Sequence, residues 1–480
     1  MDIMTSLLRR TPAVPEGTAD ASTPKHLGWI MLAALGIGAT IGAGIFAMPG
    51  IIAEKAGPAG ILSFLISGIL VVAVSFCYER FSRVVTTGVS AYSYVYHSCG
   101  ELFAWVVAFG LFLEYSFGAS AVAIAWAEYL KNAAGYTLAG FWGGPTLVNG
   151  VFTPGVNIVA ISVVTAVTII LIFGGVSKSA KLNFILVCLK LTLLATFLAF
   201  GIRHVNPVNW TNFFPKGVNG MLAGAATAVF PYVGFDALYT FARESKSLRD
   251  TRIGTYACVG LVALLYVTVM AVATGLAPCF LTGADGHLLM DPQGQPMGNP
   301  LFVGSEAAAP LAKLLANAGE TWVSKFIAIG AVLGIFNVLL VLCMGGPRIF
   351  RNMAEDGLLP PIFAKTSKGN PTLGVLLNGL IVASIAGFVP FGQITDMMVL
   401  GTLIAFMFVG IGAVRLKLVH PAIGIFAALG CAVLAKYLNP LVLQVYCVSC
   451  PVGLIIYFTY GFKHSKLRRQ QEAAAIPTQV

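Results

Sequence analysis

Runs of apolar residues, each about as long as a bilayer is thick, recur along the whole chain. A membrane-spanning helix needs roughly 20 consecutive, mostly apolar residues. The composition agrees, because 58% of the residues are hydrophobic and only 10% are charged, whereas a soluble domain carries about 25% charged residues. We therefore predict an all-α membrane protein with twelve transmembrane helices, at residues 28–53, 58–82, 102–127, 154–174, 182–201, 218–241, 254–278, 322–346, 373–390, 395–414, 421–437 and 440–461.

The basic residues are distributed unevenly between the two sides of this map. There are 29 Lys and Arg against 19 Asp and Glu, a formal net charge of +10. On the predicted map 21 basic residues lie in the tails and alternate loops of one side, 7 lie on the other side, and Lys190 lies within a span. Cytoplasmic loops collect Lys and Arg, so we expect a multi-pass protein of the plasma (inner) membrane with both termini in the cytoplasm. The positive charge then reflects topology, and we expect no nucleic acid partner.

The longest loop on this map is at 279–321, and the other linkers between the runs are short, which predicts a single transmembrane domain at 28–462. It lies between a cytoplasmic N-terminal tail at 1–27 and a C-terminal tail at 463–480. The chain contains no Walker A sequence for ATP hydrolysis and no metal-binding HExxH sequence. We therefore expect no enzyme activity, no metal and no cofactor.

Two predicted spans contain residues that interrupt a helix. The first carries Gly38, Gly42 and Gly44, and the sixth carries Pro231 and Gly234. Breaks in corresponding spans of two five-helix halves indicate an inverted-repeat transporter. An unwound helix offers N–H groups that hold a carboxylate and carbonyl groups that hold an ammonium or another cation. An α-amino acid carries both groups, so one pair of breaks can hold its whole common part.

Each break also has a simpler interpretation. Gly38 and Gly42 form a small-xxx-small pair, which is typical of close helix packing. Pro231 alone is tolerated in a membrane helix as a kink. The glycines by themselves favour packing, whereas their combination with the Pro and Gly of span 6 favours two functional breaks.

Three ionisable residues lie within predicted spans, namely Glu114, Lys190 and Asp236. Such residues are costly in lipid and are candidates for function. Lys190 is about nine residues from either end of its run, too deep for its ammonium to reach the interface easily, so we interpret it as a proton-exchanging group. Glu114 is either its counter-charge or a structural hydrogen-bond acceptor. Asp236 either meets a substrate side chain or caps the half-helix.

Six sequence blocks follow one another at these spans. They are residues 38–45 (GATIGAGI), 88–92 (GVSAY), 113–118 (LEYSFG), 183–190 (NFILVCLK), 232–236 (YVGFD) and 353–359 (MAEDGLL). In this order they resemble the cationic amino acid transporter family of the amino acid–polyamine–organocation superfamily. The resemblance runs from about Gly28 to Lys365. It implies a LeuT-type fold, with a 5+5 inverted repeat at about 28–201 and 218–414, spans 1 and 6 broken, and two extra C-terminal helices at about 421–461.

The resemblance also implies roles for residues. An amino acid would bind between spans 1, 3, 6 and 8, with its carboxylate at the first break and its amine at the second, and Phe230 would close over it. Lys190 stands where sodium-coupled relatives bind an ion, which implies proton coupling, with Glu114 close to it. The implied substrate-binding residues are Thr40, Ile41, Gly42, Ala43, Gly44, Phe230, Pro231, Tyr232, Val233 and Asp236.

Some positions depart from the family pattern. Arg80, Lys178 and Arg243 stand where the family carries acidic residues, so we expect the cytoplasmic gate to pair differently. Pro231 stands where a small residue is usual, and it would shift the second break.

These observations predict a secondary active transporter that carries small neutral or cationic L-amino acids together with a proton by alternating access. Its partners are then the amino acid substrate, the proton and the lipid bilayer, and a single-span accessory subunit stays open. One alternative is an amino acid or polyamine exchanger without net proton coupling. Another, less favoured because we expect the tails to be too short for a signalling domain, is a non-transporting nutrient receptor.

Overall fold

Helices make up most of the described chain. The computed structural model describes residues 9–10, 27–85, 90–136, 138, 140–148, 151–173, 180–240, 245–283, 287–291, 294–366 and 370–474. The helices are α1 Trp29–Thr40, α2 Ala43–Ala56, α3 Gly60–Val84, α4 Ala91–Ser98, α5 Glu101–Ala134, α6 Ile158–Phe173, α7 Ala180–Gly201, α8 Gly217–Ala228, α9 Ala237–Thr240, α10 Leu248–Leu276, α11 Pro310–Asn317, α12 Thr321–Glu355, α13 Thr372–Phe388, α14 Phe391–Arg415, α15 Pro421–Lys436, α16 Pro440–Ile456, α17 Phe462–His464 and α18 Lys466–Ala474. Strands β1 Thr146–Val148 and β2 Val151–Thr153 form an antiparallel hairpin, with Leu147 opposite Phe152.

Seven helical segments in the described residues are long and apolar enough to cross a membrane. They are Ala43–Val84, Glu101–Ala134, Ile185–His204, Leu248–Leu276, Thr321–Glu355, Phe391–Arg415 and Pro440–Gln470. Four shorter apolar helices, α1, α6, α13 and α15, accompany them. The chain is therefore a multi-pass helical membrane protein, since helices satisfy their own backbone hydrogen bonds in lipid.

Exposed apolar side chains mark the surface that meets the bilayer. On α12 they recur at Trp322, Phe326, Ile329 and Leu333, and each is at least 42% exposed. Spacings of three and four residues place them on one side of a helix. The opposite side of α12 packs against α5, which lies centrally and also contacts α14.

Glycines allow the central helices to approach closely. A methyl group at Gly401 of α14 would lie 2.3 Å from the Gly110 carbonyl oxygen of α5. Only glycine fits at such a distance, so α5 and α14 cross backbone to backbone at this point. This crossing fixes the position of Glu114, one turn further along α5.

The structure adds helices that the apolar runs do not reveal. The long loop predicted at 279–321 contains α11, and the short α4 precedes α5. Helix α12 continues nine residues beyond the predicted end at 346, through polar residues to Glu355. Hydropathy marks only the apolar part of a helix, whereas the hydrogen-bonded helix continues past it.

Both ends of the described chain meet on one face, which we call the terminal face. The Glu101 N–H donates to the Arg9 carbonyl at 2.9 Å, and the Arg9 guanidinium lies 5.7 Å from the centre of the Phe462 ring. We call the other side, with the β1–β2 hairpin, the opposite face.

Candidate functional site

The first predicted break is present at Ile41 and Gly42. Helix α1 ends at Thr40 and α2 begins at Ala43. Gly42 is extended, with φ −119° and ψ −154°, and has no side chain to cap α2. The first N–H groups of a helix have no acceptor within it. The start of α2 therefore presents backbone donors and the positive end of a helix dipole.

The second predicted break extends from Val229 to Asp236. A 3₁₀ turn at Phe230–Tyr232 follows α8, and Val233 is extended. Gly234 has φ +114°, in the left-handed region that side chains disfavour. Pro231 lies at the start of the 3₁₀ turn, where its missing N–H costs no hydrogen bond.

The two breaks touch each other. A methyl group at Gly44 would lie 2.7 Å from Cα of Pro231, and one at Gly234 would lie 2.7 Å from the Ala39 carbonyl oxygen. Both contacts are to backbone, which cannot move aside easily. These contacts join Ala39, Thr40 and Gly44 of the first break to Pro231 and Gly234 of the second. Asp236 lines a neighbouring cavity with Glu114, and substrate binding by the predicted residues stays a prediction.

Tyr266 of α10 joins the two breaks, and sequence reasoning did not identify it. Its hydroxyl oxygen lies 3.1 Å from the Thr40 carbonyl oxygen and 2.9 Å from that of Pro231. One hydroxyl carries one proton, so the two carbonyl groups share a single donor. A lone Tyr in an apolar span carries no sequence signal for such a role.

Two other polar groups of the second break, the Phe230 carbonyl and the Tyr232 hydroxyl, already have hydrogen-bond partners. The Val233 N–H donates to the Phe230 carbonyl at 2.9 Å. The Tyr232 hydroxyl donates to the Phe64 carbonyl on α3 at 2.8 Å. The Tyr232 side chain thus anchors the break to α3, while the Phe230 carbonyl oxygen keeps a second lone pair.

An apolar side-chain environment lies beside the crossing. The ring of Phe230 faces Gly118 of α5, where a methyl group would lie 3.6 Å from the ring, 3.8 Å from Leu342 and 3.9 Å from Met398. Val338 of α12 stands against Gly42, 3.5 Å from the position of an added methyl group. Residues of the predicted spans 1, 3, 6, 8 and 10 therefore converge at one point.

Lys190 reaches the first break. It is 3% exposed, and its Nζ donates to the Gly38 carbonyl oxygen at 3.3 Å. Its stem covers Gly334 of α12, where a methyl group would lie 3.1 Å from Cγ. The Lys190 side chain thus lies between the last turn of α1 and α12, and its role in proton exchange stays a prediction.

Glu114 lies elsewhere. Its Cβ is 3.0 Å from a methyl group built on Gly401, and its Oε2 is buried without a hydrogen-bond partner among the described residues. It lines a cavity of about 80 Å³ together with Asp236, Thr402 and Tyr92. Within the described part of the chain Glu114 forms no ion pair with Lys190. The neighbouring Tyr115 packs on Gly345 of α12, whereas Lys190 packs on Gly334, which is about 16 Å away along that helix, so the expected proximity of Glu114 and Lys190 is wrong.

The gate positions are described in part. Arg80 lies 3.4 Å from the carboxylate of the buried Glu79, which also pairs with Arg83. Two guanidinium groups therefore share one carboxylate near the end of α3, and the different pairing expected of the cytoplasmic gate stays a prediction. Lys178 and Arg243 lie outside the described residues, as do Gly88 and Val89 of the second sequence block.

Comparison with known families agrees with this architecture. The model of the family described as amino acid permease matches residues 27–461. The chain belongs to this family, and it is therefore a membrane transporter and a relative of the amino acid–polyamine–organocation proteins. The resemblance stated from the sequence is confirmed.

Characterised relatives differ in what their names say they carry. The methylthioribose transporter of Bacillus subtilis (strain 168) is 32% identical over 97% of this chain and 100% of the relative. The branched-chain amino acid permease BcaP of the same organism is 31% identical over 94% of this chain and 96% of the relative. The vacuolar cationic amino acid transporter 2 of Arabidopsis thaliana is 33% identical over 81% of this chain and 59% of the relative.

Proposed function

We propose that this chain is a proton-coupled symporter of small neutral or cationic L-amino acids in the plasma membrane, with both termini in the cytoplasm. The observation that carries the proposal is the backbone crossing of the two breaks at Gly44 and Pro231. The proposal includes twelve spans in a LeuT-type arrangement, with repeats at about 28–201 and 218–414.

The crossing suits the common part of an amino acid. Backbone N–H groups from Gly42 to Gly44 at the start of α2 would receive the carboxylate, helped by the helix dipole. Carbonyl groups from Phe230 to Val233 would receive the ammonium. Tyr266 supplies one donor for two carbonyl groups, so an ammonium would complete the set of donors.

The side-chain environment favours modest, apolar groups. Phe230, Leu342, Met398 and Val338 surround the crossing, and none carries a charge. Glu114 and Asp236 line the next cavity, where a longer cationic side chain would find carboxylates. Relatives named for branched-chain and for cationic amino acids fit these two environments respectively.

The relative named as a methylthioribose transporter points to a second candidate substrate. A thiosugar has neither an ammonium nor a carboxylate, so the crossing gives it no matched pair of partners. We therefore propose an amino acid and treat methylthioribose as the competing substrate in the test.

Lys190 would couple the proton to the substrate. A protonated ammonium at the Gly38 carbonyl holds the end of α1 against α12, and a neutral amine would hold it less strongly. The proton can shift the transport equilibrium only by its differential affinity for the two states. Glu114, lying apart from Lys190 and beside Asp236, would take up or release protons along the path to the terminal face.

Proteoliposomes test this function. They contain no internal amino acid and no sodium, and labelled alanine, arginine or methylthioribose is added with or without an inward proton gradient. Gradient-dependent accumulation of alanine or arginine is expected. Uptake only after preloading with amino acid would establish an exchanger instead, and accumulation of methylthioribose alone would overturn the amino acid assignment.

A further inference from the structure

The segment after the last long span is held against the terminal face. Helices α17 and α18 meet at Ser465. The Ser465 hydroxyl donates to the Glu101 carboxylate at 2.5 Å, and the Lys466 N–H donates to the Asp356 carbonyl at 3.0 Å. Ser465 and Leu467 are buried. The backbone of this segment is therefore fixed on α5 and on the end of α12.

Basic side chains project from the fixed segment. Lys463, Lys466 and Arg469 are exposed, and we call them the basic surface. They form no ion pair with any residue that the structure describes. Arg468, between them, is half-buried and instead lies over the Phe462 ring, 5.1 Å from its centre.

The acidic residues behind the basic surface already have donors. Glu101 accepts hydrogen bonds from Tyr96 and Tyr457 at 3.0 Å, as well as from Ser465. Asp356 accepts one from Tyr92 at 2.6 Å. The Lys466 ammonium also interacts electrostatically with the Asp356 carboxylate, whereas Lys463 and Arg469 are exposed and form no ion pair with any described residue.

Lys463 follows closely on the exposed apolar part of the last span. Exposed apolar side chains run along the last span to Phe458, which is 46% exposed. Lys463 follows five residues later, which is about 7.5 Å along a helix. The polar layer of a bilayer is about 5–7.5 Å thick on each side. With Phe458 at the edge of the hydrocarbon, Lys463 therefore lies at the outer edge of this layer.

We propose that Lys463, Lys466 and Arg469 bind anionic phospholipid headgroups at the terminal face. Clusters of basic residues directly beyond a span attract such lipids. Here the backbone is already fixed against the protein. Lipid binding therefore does not carry the entropic cost of ordering a free tail. We expect each basic side chain to raise the affinity for an anionic headgroup about fivefold, and the three together to raise it on the order of 100-fold.

Lipid binding to the intact protein tests this surface. Purified protein in detergent is mixed with phosphatidylglycerol or phosphatidylcholine, and bound lipids are counted by native mass spectrometry. The test variant is Lys463→Gln/Lys466→Gln/Arg469→Gln. The matched control, Arg249→Gln/Arg252→Gln/Lys417→Gln, removes three exposed charges from the same face.

We expect the test variant to lose tightly bound phosphatidylglycerol while the control keeps it, with phosphatidylcholine unaffected in both. An unchanged thermal unfolding temperature shows that the test variant is folded. Equal loss in the two variants would mean a general effect of net charge and would overturn the assigned surface. Retention of phosphatidylglycerol by the test variant would overturn it as well. Neither readout depends on the transported substrate.

Discussion

Lys190 is the buried cation on which the coupling proposal depends. Its ammonium contacts the Gly38 carbonyl, and its stem packs on Gly334. Lys190→Ala removes the only atom we assign to proton exchange at the first break. We expect this variant to lose gradient-driven accumulation and to keep exchange between labelled and unlabelled substrate.

The control for this variant is Thr192→Ala, two residues further along the same helix. Thr192 is exposed, and among the described residues its hydroxyl bonds only within α7, to the Cys188 carbonyl. It should accumulate substrate normally. Normal accumulation in Lys190→Ala would show that its charge is structural.

Tyr266 is the second residue to which we assign a role, because its hydroxyl lies within hydrogen-bond distance of carbonyl groups in both breaks. Tyr266→Phe leaves the Thr40 and Pro231 carbonyl groups without this donor, a loss of about 1–3 kcal/mol for a buried group. We expect substrate affinity to fall by on the order of tenfold, as measured by KM with kcat little changed.

Tyr232→Phe provides a matched comparison. It also removes one buried tyrosine hydroxyl, but that group bonds to Phe64 of α3. We expect both variants to unfold at similarly lowered temperatures, with KM raised only in Tyr266→Phe. If KM rises equally in both variants, the Tyr266 hydroxyl stabilises the fold and has no specific role in substrate binding.

At the scale of elements, the two breaks act as one unit because their backbones touch. Gly44→Ala would place a methyl group 2.7 Å from Cα of Pro231, whereas Gly42→Ala would place one 3.5 Å from Val338, an ordinary contact. We expect Gly44→Ala to abolish substrate binding and Gly42→Ala to keep it. The measurement is equilibrium binding of labelled substrate to purified protein.

The larger Gly42→Leu should block the carboxylate position even though Gly42→Ala does not. Unimpaired affinity in both Gly42→Leu and Gly44→Ala would contradict the idea that the breaks hold substrate. It would instead favour the interpretation of the span 1 glycines as packing residues.

For the whole molecule, an ion pair ties separate elements together near the opposite face. Lys55 of α2 contacts Asp396 of α14, and Thr227 of α8 bonds to both, at 2.9 and 3.1 Å. Asp396 is 2% exposed. Removing one partner of a buried ion pair costs about 3–5 kcal/mol, whereas replacing both with apolar residues is often close to neutral.

Lys55→Met should therefore lower the thermal unfolding temperature more than Lys55→Met/Asp396→Leu does. The measurement is thermal unfolding in detergent. If the double variant unfolds at the same temperature as the single variant or lower, the Lys55–Asp396 ion pair does not stabilise the fold in the way proposed.

The general architecture was predictable from the sequence, because hydropathy and glycine positions report directly on membrane spans and breaks. The predicted span at 58–82 corresponds to α3 Gly60–Val84, and the breaks occur at Gly42 and Pro231 as expected. Tyr266 and the separation of Glu114 from Lys190 were not predictable. They depend on how helices far apart in sequence are packed, and a lone polar residue in an apolar span does not reveal its partner.

The most direct test of the central claim is competition for binding at the crossing of the two breaks. Purified protein is loaded with its best labelled substrate among alanine, leucine and arginine. It is then challenged with analogues of that substrate lacking the amine or lacking the carboxylate. Because hydrogen bonds to charged groups contribute about 1.5–3 kcal/mol each, we predict that each analogue competes on the order of 100-fold more weakly than the parent amino acid. An analogue or methylthioribose that competes as well as the parent would contradict the account, since the crossing would then not recognise an amino acid.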